Sequence, residues 1–299
     1  MTINDFRQSE ILFLLDAADQ FETAAPPLLS GRVIATLFFE PSTRTRLSFE
    51  SAVGRLGGVC IGFAEGGVSS QAKGESVADT VRVVEGYSDA ILIRHPKEGS
   101  ARLAAEFAEV PVVNCGDGAH QHPTQTFVDL YTLRRECGRI EELNVVFVGD
   151  LRYGRTVHSL VTSLALFDAK LTFVSPEFLR LPREQRDALD AMGVSYREVR
   201  KIDDTLAEAD VLYVTRVQRE RFTDPMEFEK VRDSYRIDGD TLAKARPEVV
   251  ILHPLPRVDE ISPEVDAHPH AAYFRQAHYG VAVRQALLSL LLDCTGEVL

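Results

Sequence analysis

The 299-residue chain has four cysteines, Cys60, Cys115, Cys137 and Cys294, and none stands in a Cys-x-x-Cys pair. That scatter argues against a structural zinc site within the chain and fits buried free thiols in a reducing cytoplasm. Long apolar runs are also missing. The longest near the C-terminus, residues 287–292, is interrupted by Ser289. It falls well short of the roughly 20 residues needed to cross a bilayer. The first residues, Met1-Thr2-Ile3-Asn4-Asp5, lack the basic flank and apolar core of a secretory leader. The expectation is a cytoplasmic protein without a membrane partner. Positive charge is scarce too. There are 33 lysines and arginines against 45 aspartates and glutamates, a formal net charge of −12. This argues against nucleic acid as a partner. The mixed charges at 183–190 and 227–233 read as solvated helix faces. The sequence shows no low-complexity segment and no short-period repeat.

Against that acidic background, the positions of the arginines are informative. Six strand-like apolar runs lead to a polar residue suited to an anion. Residues 35–39 lead to Ser42-Thr43-Arg44-Thr45-Arg46, and 90–93 end at Arg94. Residues 112–113 lead through Gly116-Asp117-Gly118 to His122-Pro123-Thr124-Gln125. Residues 145–148 lead to Gly149-Asp150 and Arg155, and 211–214 reach Arg216 and Gln218. Residues 249–252 stop at His253-Pro254-Leu255-Pro256-Arg257. Ligands of open α/β sheets bind outside the carboxyl ends of the strands. Such a distribution points to one cleft that recognises several phosphate or carboxylate oxygens.

The length suits two domains of ordinary size. Apolar spacing predicts a helix over 11–21. Strands near 33–39, 59–63, 90–93 and 112–113 then alternate with helices at 47–56, 77–87 and 101–109. A long helix over 125–137 ends at Gly138. The pattern restarts with strands at 144–148, 170–174, 194–196, 211–215 and 249–252, and with helices from Arg155, Pro182 and Asp203. Residues 282–293 close the chain as an apolar helix. Short strands that are apolar on both faces imply parallel sheets covered on both sides. The fold class is therefore α/β, with two doubly wound parallel-sheet domains. The expected division is 1–137 and 138–280, with the terminal helix 281–294 packing back on the first domain.

The segment 39–46 falls at a strand-to-helix junction. Free N–H groups there, joined by Ser and Thr hydroxyls and the Arg44 guanidinium, read as a phosphate cradle, the alternative being an ordinary Ser/Thr N-cap with surface arginines. Ser69-Ser70-Gln71-Ala72-Lys73-Gly74 reads either as a solvated loop or as a mobile loop that delivers a lysine. His122 reads either as a satisfied structural histidine or as a donor to a carbonyl oxygen gaining negative charge. A general base is a third reading. Gly149-Asp150-Leu151-Arg152-Tyr153-Gly154-Arg155 lacks the three-glycine spacing of a dinucleotide turn. Arg155 and Arg216-Val217-Gln218 suit carboxylates but also suit the surface. His253-Pro254-Leu255-Pro256-Arg257 reads as a rigid turn or as a frame for carbonyls that accept from an amine or amide.

Taken in order, these motifs, with Arg94-His95-Pro96 and Gly154-Arg155-Thr156, resemble the transcarbamoylase family, and within it the aspartate branch. The resemblance spans nearly the whole chain. It implies transfer of the carbamoyl group of carbamoyl phosphate to L-aspartate, giving N-carbamoyl-L-aspartate and phosphate, the committed step of pyrimidine synthesis. It implies no metal and no organic cofactor. It also implies an active site in the cleft between a carbamoyl phosphate domain and an aspartate domain, within a homotrimer whose subunits share sites. By this resemblance Ser42, Thr43, Arg44, Thr45 and Arg94 hold the phosphate. Thr45, Arg94 and His122 surround the carbamoyl oxygen. Gln125 and the carbonyls of Pro254 and Leu255 hold the carbamoyl NH₂. Arg155, Arg216 and Gln218 bind the aspartate carboxylates. Ser69 and Lys73 arrive from the adjacent subunit, Lys73 touching both substrates. Glu40 latches to Arg155 and Arg221 on closure. Some family members join a zinc-containing regulatory chain that carries nucleotide sites, and nucleotide control of this chain would need such a partner.

The sibling ornithine enzymes share the phosphate half but carry a late His-Cys-Leu-Pro motif. Here the motif is His253-Pro254-Leu255-Pro256, and Arg216 and Gln218 suit a second carboxylate better than an ammonium. A non-catalytic anion-binding or assembly subunit would have lost some of these positions, and all are present.

Overall fold

The computed structural model describes residues 2–23, 25–68, 70–118, 120–217, 226 and 235–294. The chain forms two compact units, Met1–Tyr131 with Ala277–Leu299, and Thr132–Gln276.

In the first unit, α1 (Gln8–Phe21) precedes a sheet of β1 (Val33–Phe38), β2 (Val59–Phe63), β3 (Ala90–His95) and β4 (Val112–Asp117). Helices α2 (Thr43–Arg55), α3 (Val77–Val84) and α4 (Ser100–Phe107) make the crossovers, and α5 (Pro123–Cys137) follows β4. The sheet is parallel throughout, in the order β2-β1-β3-β4. Alternation puts Ala35, Leu37, Ile91 and Ile93 on one face. They pack there with Val81 of α3 and with Ala101 and Ala104 of α4. Every residue of β3 is buried. The edge strand β2 departs from the expectation of full cover, since Val59 is 59% and Ile61 38% exposed. An edge strand has only one neighbour, and this chain leaves that face of β2 open.

In the second unit, β5 (Asn144–Val148), β6 (Lys170–Val174), β7 (Tyr196–Val199), β8 (Val211–Val214) and β9 (Val250–Leu252) form a parallel sheet ordered β7-β6-β5-β8-β9. Helices α6 (Arg155–Leu164), α7 (Arg183–Ala191) and the short α8 (Gly239–Ala243) accompany it, and α9 (Tyr273–Leu291) follows. Val146, Val148, Leu212, Val214 and Ile251 build the main core with Ile237, Ile261 and Tyr273.

Several elements differ from expectation. The strand expected at 194–196 lies at Tyr196–Val199. Residues after Ile202 form a 3-10 turn, Ile202–Asp204, instead of the expected helix from Asp203. There the Thr205 hydroxyl donates to the Ile202 carbonyl at 2.7 Å. Such local side-chain bonding competes with helix growth. Strands β3 and β4 run past their apolar residues, because backbone pairing continues to His95 opposite Asp117. Arg94 therefore lies inside its strand. Helix α9 begins at Tyr273, well before the expected 282. Gly280 sits within it, because a Cβ there would collide with the Arg284 guanidinium.

The two sheets share one topological feature. In each, the chain moves outward from a central strand and then returns to that strand's other side. The reversals fall between β1 and β3 and between β5 and β8. The carboxyl ends at such reversals are the binding positions of open α/β sheets.

Candidate active site

In the first unit the reversal brings together the ends of β1 and β3. Phe38 pairs in register with Arg94, and the Phe39 N–H donates to the Arg94 carbonyl at 2.8 Å. Just beyond, Ser42 is the N-cap of α2 in extended conformation, and its hydroxyl makes no capping bond. The first-turn N–H groups of Thr43, Arg44 and Thr45 thus have no cap from that side chain. Thr43 and Arg44 are exposed, whereas Thr45 is buried.

Two side-chain contacts tie this corner to the rest of the unit. Thr45 Oγ1 lies 3.3 Å from His122 Nε2, and both residues are buried. The Thr124 hydroxyl lies 3.4 Å from the other ring nitrogen, Nδ1. Arg94, only 8% exposed, donates from Nη1 to the Cys115 carbonyl at 3.4 Å. Its Nε lies 3.2 Å from Glu40 Oε2. That contact is an ion pair without hydrogen-bond alignment. Gln125, in the first turn of α5, donates from Nε2 to Asp129 Oδ1 at 2.8 Å. Glu40, Thr45, Arg94 and His122 are thus linked pairwise within one unit. Lys73, exposed at the end of the 3-10 turn Ser70–Lys73, lies on a separate loop segment.

The neighbouring His95 is a structural group. Its Nδ1 accepts from the Lys97 N–H at 3.0 Å and pairs with the Ser100 hydroxyl at 2.9 Å. Burial pushes its pKa below the ordinary value, and the Lys97 charge adds to this. Cys115 is fully buried, and burial pushes its thiol up to about 12. The other free cysteines, Cys60, Cys137 and Cys294, are only half-buried, which corrects the expectation of uniformly buried thiols. Among the described residues, no group of three or more His, Cys, Asp or Glu is arranged to hold a metal ion.

In the second unit the reversal is built by close approach. Gly149, at φ +113, follows β5, and a Cβ on it would collide with the Thr215 carbonyl oxygen. Only glycine permits that backbone and that contact. The Thr215 N–H and hydroxyl both donate to the Val148 carbonyl, at 2.8 and 3.0 Å. Buried Asp150 then accepts from the N–H groups of Arg152 and Tyr153 at 3.1 and 3.0 Å, turning the chain toward α6. Arg155 is the first residue of that helix, and Arg216 follows Thr215. Both arginines are half-buried.

The turn after β9 is held by a buried pair. The His253 Nδ1 accepts from the Leu255 N–H at 2.8 Å, so the ring proton sits on Nε2. Nε2 lies 2.7 Å from Glu260 Oε1, and Glu260 Oε2 accepts from the Val258 and Asp259 N–H groups at 3.1 Å each. Burial pushes the Glu260 carboxyl up, but the His253 and backbone bonds outweigh it and hold its pKa below the ordinary value. The turn carries Leu255 at φ 53, left-handed and strained for a γ-branched residue. Pro254 and Leu255 are half-buried.

Ser69, Gln218 and Arg221, named from the sequence, lie outside the described residues. The motifs do not mark Asp129 or Glu260, and they name Asp150 only as part of the turn before Arg155. Asp129 alone left a signal, its i,i+4 spacing from Gln125 on a helix. A separate recess of about 180 Å³ lies at the amino ends of β5, β8 and β9, lined in part by Cys137, Arg139, Asp210 and Arg246. Both of its arginines are paired with Asp210. It sits at the wrong ends of the strands for this chemistry.

The chain matches known proteins along its length. The carbamoyl-P binding domain of the aspartate/ornithine carbamoyltransferases matches residues 1–135, and their Asp/Orn binding domain matches residues 141–291. The aspartate carbamoyltransferase catalytic subunit of Methanocella arvoryzae is 54% identical over 296 residues, covering 98% of this chain and 96% of that protein. The solved catalytic subunit of M. jannaschii aspartate transcarbamoylase is 50% identical, covers 99% of this chain and 98% of its own, and superposes with a TM-score of 0.93. The Trypanosoma cruzi aspartate transcarbamoylase solved with N-(phosphonacetyl)-L-aspartic acid is 36% identical, covers 96% and 93%, and has a TM-score of 0.89.

Proposed function

The chain belongs to the aspartate/ornithine carbamoyltransferase family, and from that premise we propose that it transfers the carbamoyl group of carbamoyl phosphate to L-aspartate. The products are N-carbamoyl-L-aspartate and phosphate, the committed step of pyrimidine synthesis. The observation that carries this reading is topological. Among the described residues, those matched to the family's motifs, Lys73 apart, stand at or beside the carboxyl ends of β1, β3 and β4 in one unit and of β5, β8 and β9 in the other.

Ser42, Thr43, Arg44, Thr45 and Arg94 hold the phosphate, with Ser69 and Lys73 contributed by an adjacent subunit of a homotrimer. Thr45, Arg94 and His122 donate to the carbamoyl oxygen. The contact between Thr45 and His122 supports this shared role. Gln125 and the carbonyls of Pro254 and Leu255 accept from the carbamoyl NH₂. Arg155, Arg216 and Gln218 take the aspartate carboxylates, and Lys73 contacts both substrates. The neutral amine of aspartate attacks the carbamoyl carbon. A C–N bond forms, negative charge gathers on the oxygen, and the C–O bond to phosphate breaks. The departing phosphate takes the amine proton, so no protein nucleophile is required. Fixed donors at such an oxygen contribute about 2.7–4 kcal/mol each. Joining two substrates in one geometry contributes up to roughly 7–11 kcal/mol.

Closure brings Glu40 to Arg155 and Arg221 as a latch. Unpaired thiols support a cytoplasmic location. A zinc-containing regulatory chain is the partner through which nucleotides would act. The purified chain should release phosphate from carbamoyl phosphate with aspartate and not with ornithine, and native mass measurement should give a trimer. Equal turnover with ornithine would refute the acceptor assignment, and a monomer with full activity would refute the shared site.

A further inference from the structure

Gln125 and Asp129 are one turn apart on α5, with the Gln125 Nε2 2.8 Å from Asp129 Oδ1. A carboxylate only accepts hydrogen bonds, so the amide must present its N–H₂ end to Asp129. The acceptor, Oε1, is left for a ligand. Asp129 is fully buried, which makes its charge state decisive. The same unit buries a cation, Arg284, at 3% exposure. Its guanidinium lies 5.0 Å from the centre of the Phe49 ring and donates to the Gly280 carbonyl at 2.9 Å. Burial lowers the Arg284 pKa to about 10, and Asp129 acts in the opposite sense. A buried guanidinium favours an ionised carboxylate near it. Rotating the amide by half a turn would set Oε1 against that carboxylate, acceptor facing acceptor.

We propose that Asp129 is a positioning and specificity residue, locking the Gln125 amide so that its Oε1 takes only a ligand that donates an N–H. This rests on the carbamoyl-transfer reading and deepens it. Carbamoyl phosphate brings an NH₂ to that position. Acetyl phosphate brings a methyl of nearly the same size and would leave the Gln125 acceptor unpaired. Sites built around a hydrogen bond reject the analogue that lacks it far better than apolar pockets reject an extra methylene. With Asp129 replaced by asparagine, either end of the Gln125 amide finds a partner, and the site loses its fixed polarity.

The test uses the full-length enzyme and two unreactive ligands, phosphonoacetamide, which carries the NH₂, and acetonylphosphonate, which carries the methyl. The readout is the ratio of their inhibition constants, with inorganic phosphate as a control for the phosphate loop. The normal enzyme should favour phosphonoacetamide. Asp129→Asn should reduce that preference by about tenfold, one hydrogen bond's discrimination, while phosphate inhibition stays within about twofold. The double variant Gln125→Glu with Asp129→Asn reverses the pair. The amide introduced by Asp129→Asn then donates to the carboxylate introduced by Gln125→Glu, whose second oxygen accepts, and the preference should return. An unchanged ratio in Asp129→Asn would overturn the proposal, and so would a ratio and a phosphate affinity that fall together. If Asp129→Asn fails to fold, the double variant decides alone, because a flattened ratio there overturns the lock. If the normal enzyme makes no carbamoylated product from aspartate, the parent reading falls independently of these ratios.

Discussion

The two units present their strand ends in different ways. In the first, the candidate groups touch one another, Thr45 meeting His122 and Arg94 meeting Glu40. In the second, Arg155 and Arg216 are aimed by groups that need not meet a ligand. Asp150 shapes the turn before α6, Thr215 clasps the end of β5, and the His253–Glu260 pair fixes the turn after β9. The first unit thus links candidate groups directly to one another, and the second shapes the loops that carry Arg155 and Arg216. A group that arrives with two negative charges rewards prearranged donors. A flexible dicarboxylate can be met by arginines on shaped loops.

The largest effect should come from the first unit. Arg94→Ala removes a donor and leaves Glu40 without that charge. Turnover should fall by about 10²–10³ under saturating carbamoyl phosphate, with the thermal midpoint shifted little. Near-normal turnover would break the claim that direct contacts carry the phosphate half. Gly149→Ala should act on the second unit through stability. The Cβ collides with the Thr215 carbonyl, and φ +113 is strained for alanine. The cost should be about 2–4 kcal/mol in urea unfolding. A neutral result would mean that the clasp between β5 and β8 yields easily. Glu260→Gln should be milder. Its amide N–H₂ would face the Val258 or Asp259 N–H groups, or the His253 Nε2–H. One unsatisfied donor costs about 1–3 kcal/mol. Turnover should drop while inhibition by inorganic phosphate is kept, since the phosphate loop lies in the other unit.

The smallest effect is one of pH. His95 is held neutral in the folded state, with its pKa below the ordinary 6.5. The unfolded chain therefore binds the proton more readily. Its contribution to stability is fully present above pH 6.5 and declines as pH falls from there through the lowered folded value. His95→Gln should flatten the unfolding free energy in that acidic window and leave its slope unchanged above it. A slope unchanged by the substitution would remove His95 from the account.

Much of this was legible in the sequence, for a physical reason. Strands buried on both faces give continuous apolar runs, so Val145–Val148 and Ala90–Ile93 stand out, and the polar residues that follow them mark the carboxyl ends. The strand termini were less legible. The run of apolar side chains stops at Ile93, but the ladder is made by backbone and continues to His95. The apolar pattern puts Arg94 just after a strand, whereas it is buried within it. The start of α9 was hidden by Gly280, a helix breaker in isolation that is accommodated because Arg284 packs over it. The carboxylates that shape the site were hidden most deeply. Glu260 holds His253 across a turn whose path is not written in any periodicity. Asp150 bonds backbone N–H groups, which every sequence possesses.

That the carbamoyl phosphate contacts form without Arg216 and without the amino acid is the central claim, and calorimetric titration with phosphonoacetamide tests it most directly. The normal enzyme and Arg216→Ala should be compared in the absence of any amino acid. Binding should be measurable in both, with affinities within about twofold, as expected for separate sites. A large loss of phosphonoacetamide affinity in Arg216→Ala, or no binding to the normal enzyme until a dicarboxylate such as succinate is added, would contradict a carbamoyl phosphate site that works before the amino acid arrives.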